Sequence, residues 1–336
     1  MFKPDAHRGA FARKGAAAPG DTLKHKGAVS GDALNNKGSI ASGDTVNHQG
    51  VSDREKHRVS QPLNNPNASA PIKSWPSFKK TAYLLLPLFI YFVAHDIAQF
   101  LLWAVMEKIL SSGSQSVTAF CSRYAGTLQG AINGLAMLIG AAFIYKTAQK
   151  EVKAQTYEKG DVTSYCFLAA FAACVSVTIN ILFAQTGLSE RSGAYNRVRE
   201  IQYGVEFAAG LILYGIISPL TEEAVFRGIL YNRMKRCFNY PIALILSSLF
   251  FGLYHGNMIQ AAYGTLLGLL IAYAYEKYHN FTVPVLFHAV ANISVFTLTY
   301  HNWFNQVSRA VMMGTMAVLL AVGGICLWQM RKVFQP

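Results

Sequence analysis

The stretch Pro219-Leu220-Thr221-Glu222-Glu223-Ala224-Val225-Phe226-Arg227 puts two adjacent carboxylates and a guanidinium at the end of an apolar run from Tyr203 to Pro219. A charged residue at the centre of a membrane helix costs about 2.5–3.5 kcal/mol on insertion scales, so charge in such a place points to function. On a helix Glu223 and Arg227 stand at i and i+4 and can pair. Glu222, roughly 100° away around the axis, stays outside that pair. Two further groups follow the same logic. Phe251-Gly252-Leu253-Tyr254-His255 closes one apolar run, and His288-Ala289-Val290-Ala291-Asn292 lies inside another, with His288 and Asn292 on one helical face. A carboxylate beside a histidine can deprotonate water. A second histidine and an amide can donate hydrogen bonds to the oxyanion of a tetrahedral intermediate. Glu222, His255 and His288 are equally a ligand set for Zn²⁺ with an open position for water. Both schemes describe hydrolysis of an acyl bond, and the residue types alone do not choose between them.

Those residues need a scaffold, and composition names its class. Hydrophobic residues make up 52% of the chain and charged residues 14%, too apolar for an ordinary soluble domain. The expected fold is all-α: a polytopic membrane protein of about eight transmembrane helices behind a disordered polar tail. The spans are read as 82–106, 124–145, 164–184, 203–231, 239–256, 258–276, 281–300 and 307–330, from runs near the 20 residues or so that cross a hydrocarbon core. Glu222 and His255 are 33 residues apart, with a turn signal, Asn239-Tyr240-Pro241, at their midpoint. An antiparallel hairpin then sets both at equal height, each roughly 24 Å from the turn. His288 lies only about 10 Å into its own span, so the hairpin tip (Arg233, Lys235, Arg236) is expected to project roughly 14 Å further. The site is thereby placed in the inner half of the bilayer, open to the cytoplasm. Pro219 lacks the N–H that would bond the Gly215 carbonyl, which lets the helix open just before Glu222.

Charge distribution excludes other classes. The net charge is +13, of which residues 1–80 supply +7 from 13 Lys/Arg and 6 Asp/Glu. A basic tail beside membrane spans reflects topology and anionic lipid rather than nucleic acid. With the N-terminus cytoplasmic, twelve Lys/Arg fall in the inside loops and five in the outside loops, which predicts both termini on the cytoplasmic side of the cell membrane. The five cysteines are scattered and carry no disulfide framework or metal pair. Residues 1–78 are a Gly/Lys/Asn-rich cytoplasmic tail with three short repeats beginning at Gly20, Gly31 and Gly43, and too few apolar groups for a core. No cleavable signal peptide is expected. Residues 79–336 form the membrane domain, with its motif core at about 200–300. Gly126, Gly130 and Gly134 suit close helix packing, Gly187 to Gln202 an interfacial helix, and His95 and Asp96 a polar pairing with another helix.

Glu222-Glu223-x-x-x-Arg227, Phe251-x-x-x-His255 and His288-x-x-x-Asn292, in that order on successive spans, resemble the three motifs of the CPBP group (CAAX proteases and bacteriocin-processing enzymes, also called Abi). That group includes the Ras-converting CAAX endopeptidase (CAAX prenyl protease 2) and lysostaphin-resistance-type proteins. The resemblance implies an intramembrane endopeptidase acting on a peptide or lipidated peptide. By it, Glu222 and His255 activate water, His288 and Asn292 hold the oxyanion, and Glu223–Arg227 is an auxiliary pair. A metal-free glutamate mechanism and a zinc mechanism both fit these residues.

Two other classes compete: a non-catalytic immunity or scaffold protein of the same fold, and a transporter whose buried Glu and His relay protons. The transporter calls for matching internal repeats with broken helices, and none is visible. H-E-x-x-H, and a G-x-G-D or G-x-S-G within a span, are also absent from the sequence.

Overall fold

Backbone polar groups have no water to bond in hydrocarbon, so an apolar run must satisfy them within its own helix. The computed structural model describes residues 72–111, 113–155, 161–187 and 192–333, and residues 64–336 form one compact unit. The regular elements of the described residues are all helical: α1 (Ser77–Leu110), α2 (Gln115–Arg123), α3 (Ala125–Lys153), α4 (Val162–Thr186), α5 (Gly193–Tyr203), α6 (Phe207–Cys237), α7 (Tyr240–Tyr254), α8 (Met258–Tyr278), α9 (Thr282–Tyr300), α10 (Trp303–Gln306) and α11 (Arg309–Val333). The expected tail and its repeats lie almost wholly in residues 1–71, outside the described residues.

Seven of these helices are long and apolar enough to cross a membrane. The fifth expected span, 239–256, is the 15-residue α7. At 1.5 Å per residue it reaches about 22 Å, short of the roughly 30 Å hydrocarbon core. It stops because Gly256 turns the chain at φ +73° and the Asn257 side chain caps the next helix, accepting the Gln260 N–H at 2.9 Å.

Two of the three core clusters among the described residues flank the site. One gathers Leu84 and Tyr91 of α1, Ile144 of α3, Val225 and Phe226 of α6, Phe251 of α7 and Tyr275 of α8. The other joins Leu168 of α4, Leu267 of α8 and Phe287 of α9. The α3 glycines do what their spacing suggests. A Cβ at Gly130 would lie 2.9 Å from Val205 and one at Gly134 2.7 Å from Leu213, so α3 closes on α6 only because they lack one. Large side chains such as Phe100, Phe143 and Trp328 point away from the bundle. The amphipathic α5 has no buried residue.

One expectation is corrected here. The tip of α6 does not stand free in water: Arg233 and Arg236 pair with the buried Glu151 of α3 at 2.8 and 2.7 Å, and Lys235 pairs with Glu276 of α8 at 2.5 Å. Arg233 also donates to the Tyr83 carbonyl of α1 at 2.5 Å. The partners were unreadable in sequence because they come from three other helices.

Candidate active site

The α6 helix changes hand-hold twice. It is π-helical over Leu213–Ile217 and again over Ala224–Tyr231, the kind of widened turn often found at functional sites. In the first stretch the Ser218 N–H bonds the Leu213 carbonyl, five residues back. The next donor in that register would be residue 219, to Tyr214, and Pro219 has no N–H. The Tyr214 carbonyl is taken instead by Asn292, whose Nδ2 donates to it at 3.0 Å. The helix runs on without a break through Pro219; what the proline leaves is one carbonyl, Tyr214 rather than Gly215, whose donor comes from α9.

One turn on lies a buried ion cluster. Glu223 and Arg227 are fully buried, joined Oε1 to guanidinium at 2.9 Å. Arg227 also donates to the Gly268 carbonyl of α8 at 2.9 Å and lies over the Phe251 ring at 4.5 Å. Two buried ions are tolerable only when such contacts offset lost hydration. His288 completes the cluster, its Nδ1 2.7 Å from Glu223 Oε1. A carboxylate only accepts, so Nδ1 carries the proton and Nε2 faces elsewhere.

It faces Glu222. That carboxylate is 6% exposed. Its Oε1 accepts from Ser218 Oγ at 2.5 Å, and its Oε2 lies 3.9 Å from His288 Nε2 with no hydrogen-bond partner. Tyr91 and Tyr254 are close enough to interact electrostatically with it. Buried unsatisfied carboxylate oxygens are rare in folded proteins and call for a water or a ligand. Glu222 is outside the Glu223–Arg227 pair, as the helical spacing implies.

His255 caps α7, half-buried, with Nδ1 donating to the Phe251 carbonyl at 2.9 Å. No hydrogen bond or ion pair joins it to Glu222 among the described residues; the imidazole facing that carboxylate is His288. The Phe251 ring stands edge-to-face against both imidazoles, with centroids 5.2 Å from His255 and 5.5 Å from His288. Asn292 also lines a cavity of about 80 Å³ with Tyr214, Gln260, Tyr263 and Arg199. This cavity lies where α4 and α9 end, opposite the ion-paired tip of α6. A second cavity, of about 530 Å³, lies on the tip side of Glu222, where Leu220, Thr221 and Ala224 of α6 line it with Tyr145, Ala148 and Val152 of α3 and Phe281.

The zinc reading needs Glu222, His255 and His288 to converge. His288 and His255 are each engaged through Nδ1 alone, with Glu223 and the Phe251 carbonyl, but no three His, Cys, Asp or Glu groups among the described residues come together as a ligand set. Sequence reasoning missed Ser218 and Gly268. Ser218 carried a signal, four residues before Glu222. Gly268 carried none in sequence, yet a Cβ there would lie 3.1 Å from Arg227 and 3.2 Å from Phe251.

Comparison with known proteins falls on the same segment. Residues 204–294 match the family model described as type II CAAX prenyl endopeptidase Rce1-like. The chain is 24% identical over 176 residues to "Putative membrane peptidase YdiL" of Bacillus subtilis, covering 51% of this chain and 71% of that protein. It is 33% identical over 86 residues to "Uncharacterized 24.3 kDa protein" of Escherichia coli, 24% of this chain and 40% of that one. It is 30% identical over 82 residues to "UPF0177 protein YxdF" of Lactococcus lactis, 24% of this chain and 45% of that one. No solved structure matches.

Proposed function

We propose that this chain, a CPBP-type membrane protease by its motifs and its Rce1-like segment, hydrolyses a peptide bond with Glu222 as the base that activates water. One observation carries the reading: Glu222 Oε2 is buried, unpartnered, and 3.9 Å from His288 Nε2. Water bonded to both atoms would lose its proton to Glu222 as its oxygen attacks the carbonyl carbon. The carbonyl π electrons move to oxygen. Asn292 Nδ2 has a second N–H that Tyr214 does not use, and it takes the oxyanion. When the intermediate collapses the C–N bond breaks and the amine nitrogen takes the proton held by Glu222. His255 leaves Nε2 free beside the Phe251 ring that it shares with His288. Glu223 and Arg227 hold His288 in place.

The substrate is a peptide or lipidated peptide reaching the site within the cell membrane, with both termini of the protein cytoplasmic. The test is reconstitution of the full chain and of Glu222→Gln in liposomes with membrane peptides from the host cell. Cleavage by the wild type and none by the variant supports the reading; equal cleavage overturns it.

A further inference from the structure

The cavity of about 80 Å³ that Asn292 lines runs on into a further one of about 180 Å³. Asn180, Phe183, Tyr195 and Arg199 line both, so the two form one passage. It starts at Asn292, one turn of α9 or about 6 Å from His288. It ends among Asn302, Asn305 and Arg309, which are exposed, so that end is open. Arg199 stands where the two cavities meet, between Phe296, which lines the first, and Thr299, which lines the second. Phe296 and Thr299 lie about 6 and 10 Å along α9 from Asn292, a reach of about two to three residues of extended peptide.

The charge of this passage comes chiefly from α5, which the chemistry above does not use. Tyr195, Arg199 and Tyr203 stand at i, i+4 and i+8 of that helix and share one face, and all three line the first cavity. Arg197 is exposed and lines neither cavity. Among the described residues the passage is lined by two arginines, Arg199 and Arg309, and by no aspartate or glutamate. Arg199 is half-buried, and no carboxylate pairs with it among the described residues. A guanidinium partly withdrawn from water without a counter-charge is unfavourable. Its planar fork of N–H donors matches a carboxylate in both shape and charge. The passage therefore lacks an anion, and it adjoins the amide that takes the oxyanion. Because its far end is open, a chain lying in it continues past Arg199, and the anion that fits there belongs to a side chain rather than a chain end.

We infer that Arg199, with Arg309 beyond it, is a specificity residue that takes the side-chain carboxylate of a peptide lying in this passage, about two to three residues from the bond that is cut. The peptide nature of the ligand rests on the protease reading; the preference for an acid rests on the two arginines.

Binding tests it without cleavage. The full chain carrying Glu222→Gln, in phosphatidylcholine nanodiscs, is titrated with fluorescent apolar peptides blocked at both termini, in which one glutamate is moved along the chain. The comparison peptides carry glutamine or lysine in its place, or glutamine and a free carboxyl terminus. At its best position the glutamate peptide is expected to bind about tenfold tighter than the glutamine peptide. Arg199→Gln should erase that preference, Arg199→Glu should turn it towards lysine, and Arg199→Lys should keep it. Arg197→Gln, outside the passage, should leave it unchanged, with thermal melting confirming that each variant is folded. Equal binding of glutamate and glutamine peptides at every position, no binding of either, or an unchanged preference in folded Arg199→Gln overturns the proposal. A preference shown only by the free carboxyl terminus assigns the arginines to a chain end and overturns the side-chain assignment. Loss of the preference when the nanodiscs contain phosphatidylglycerol assigns them to lipid phosphate and overturns it as well. An acid preference in a wild-type protein that cleaves nothing would remove the hydrolytic reading and leave Arg199 as a carboxylate site.

Discussion

His288 Nδ1 lies 2.7 Å from Glu223 Oε1, and that contact makes the second glutamate of the pair more than a partner for Arg227. Glu223 selects the His288 tautomer, and through it the atom presented to Glu222, which sits 3.9 Å from the other ring nitrogen. Orienting partners of this kind fix ring geometry and basicity.

Glu223→Gln should therefore reduce turnover, by about 10- to 100-fold, in protein that still reaches the membrane. Each change breaks a buried pair and leaves one charge without its counter-charge, Arg227→Ala stranding Glu223 and Glu223→Gln stranding Arg227, at a cost of about 3–5 kcal/mol. The thermal midpoint and folded yield in detergent should therefore fall for both variants, and turnover per folded molecule for Glu223→Gln. Equal stability of Arg227→Ala and wild type would contradict the buried-pair account.

Ser218→Ala should cost about 1–3 kcal/mol by leaving Glu222 Oε1 without its donor. Turnover should fall with it, because the carboxylate is freed to rotate away from His288. Wild-type turnover in Ser218→Ala would show that the 2.5 Å contact does not position the base.

Pro219 and Asn292 form a testable couple. Asn292→Ala should cost about 1–3 kcal/mol, because the Tyr214 carbonyl loses its donor. Pro219→Ala restores an N–H in the helix, so the Asn292→Ala cost should shrink in that background. A double-mutant cycle in thermal stability reads the coupling directly. Strict additivity would mean that Asn292 does not serve the carbonyl left by Pro219.

Gly268→Ala would drive a Cβ to 3.1 Å from the Arg227 guanidinium and 3.2 Å from Phe251 and Ser248. Overpacking of this kind costs about 1–3 kcal/mol. Stability should drop even though the change adds only a methyl group, while Gly314→Ala, in open space, should be silent in the same melting assay.

Much of this was legible in the chain. The i, i+4 spacing of Glu223 and Arg227 predicts their contact, and the same spacing sets Glu222 apart, because both follow from one helix's geometry. The order of the long helices follows from apolar runs, seven of which are long enough to cross a membrane. What stayed hidden depends on the third dimension. The partner of Glu222 was expected to be His255, which matches it in height along the hairpin. Height does not fix rotation: the His255 ring bonds its own helix, and His288 on α9 faces the carboxylate instead. Gly268 and Glu151 act through contacts across helices, for which one sequence holds no spacing rule. The short α7 was read as a full span because Asn257 and Gly256, which end it, are followed at once by another apolar run.

Chelation separates the two water-activation schemes. With Glu222 as the base and no metal, activity should survive dialysis against a strong chelator, and the purified protein should hold less than one zinc per chain. Loss of activity on chelation, restored by added Zn²⁺, would contradict the scheme.

The central claim is that Glu222 makes a membrane peptidase of this fold. Its most direct test is a comparison of peptide termini in membranes from cells carrying the wild type or Glu222→Gln at equal folded abundance. At least one new terminus should appear with the wild type, be absent with Glu222→Gln, and return when the wild-type chain is restored. Identical sets of termini in the two membranes would contradict it.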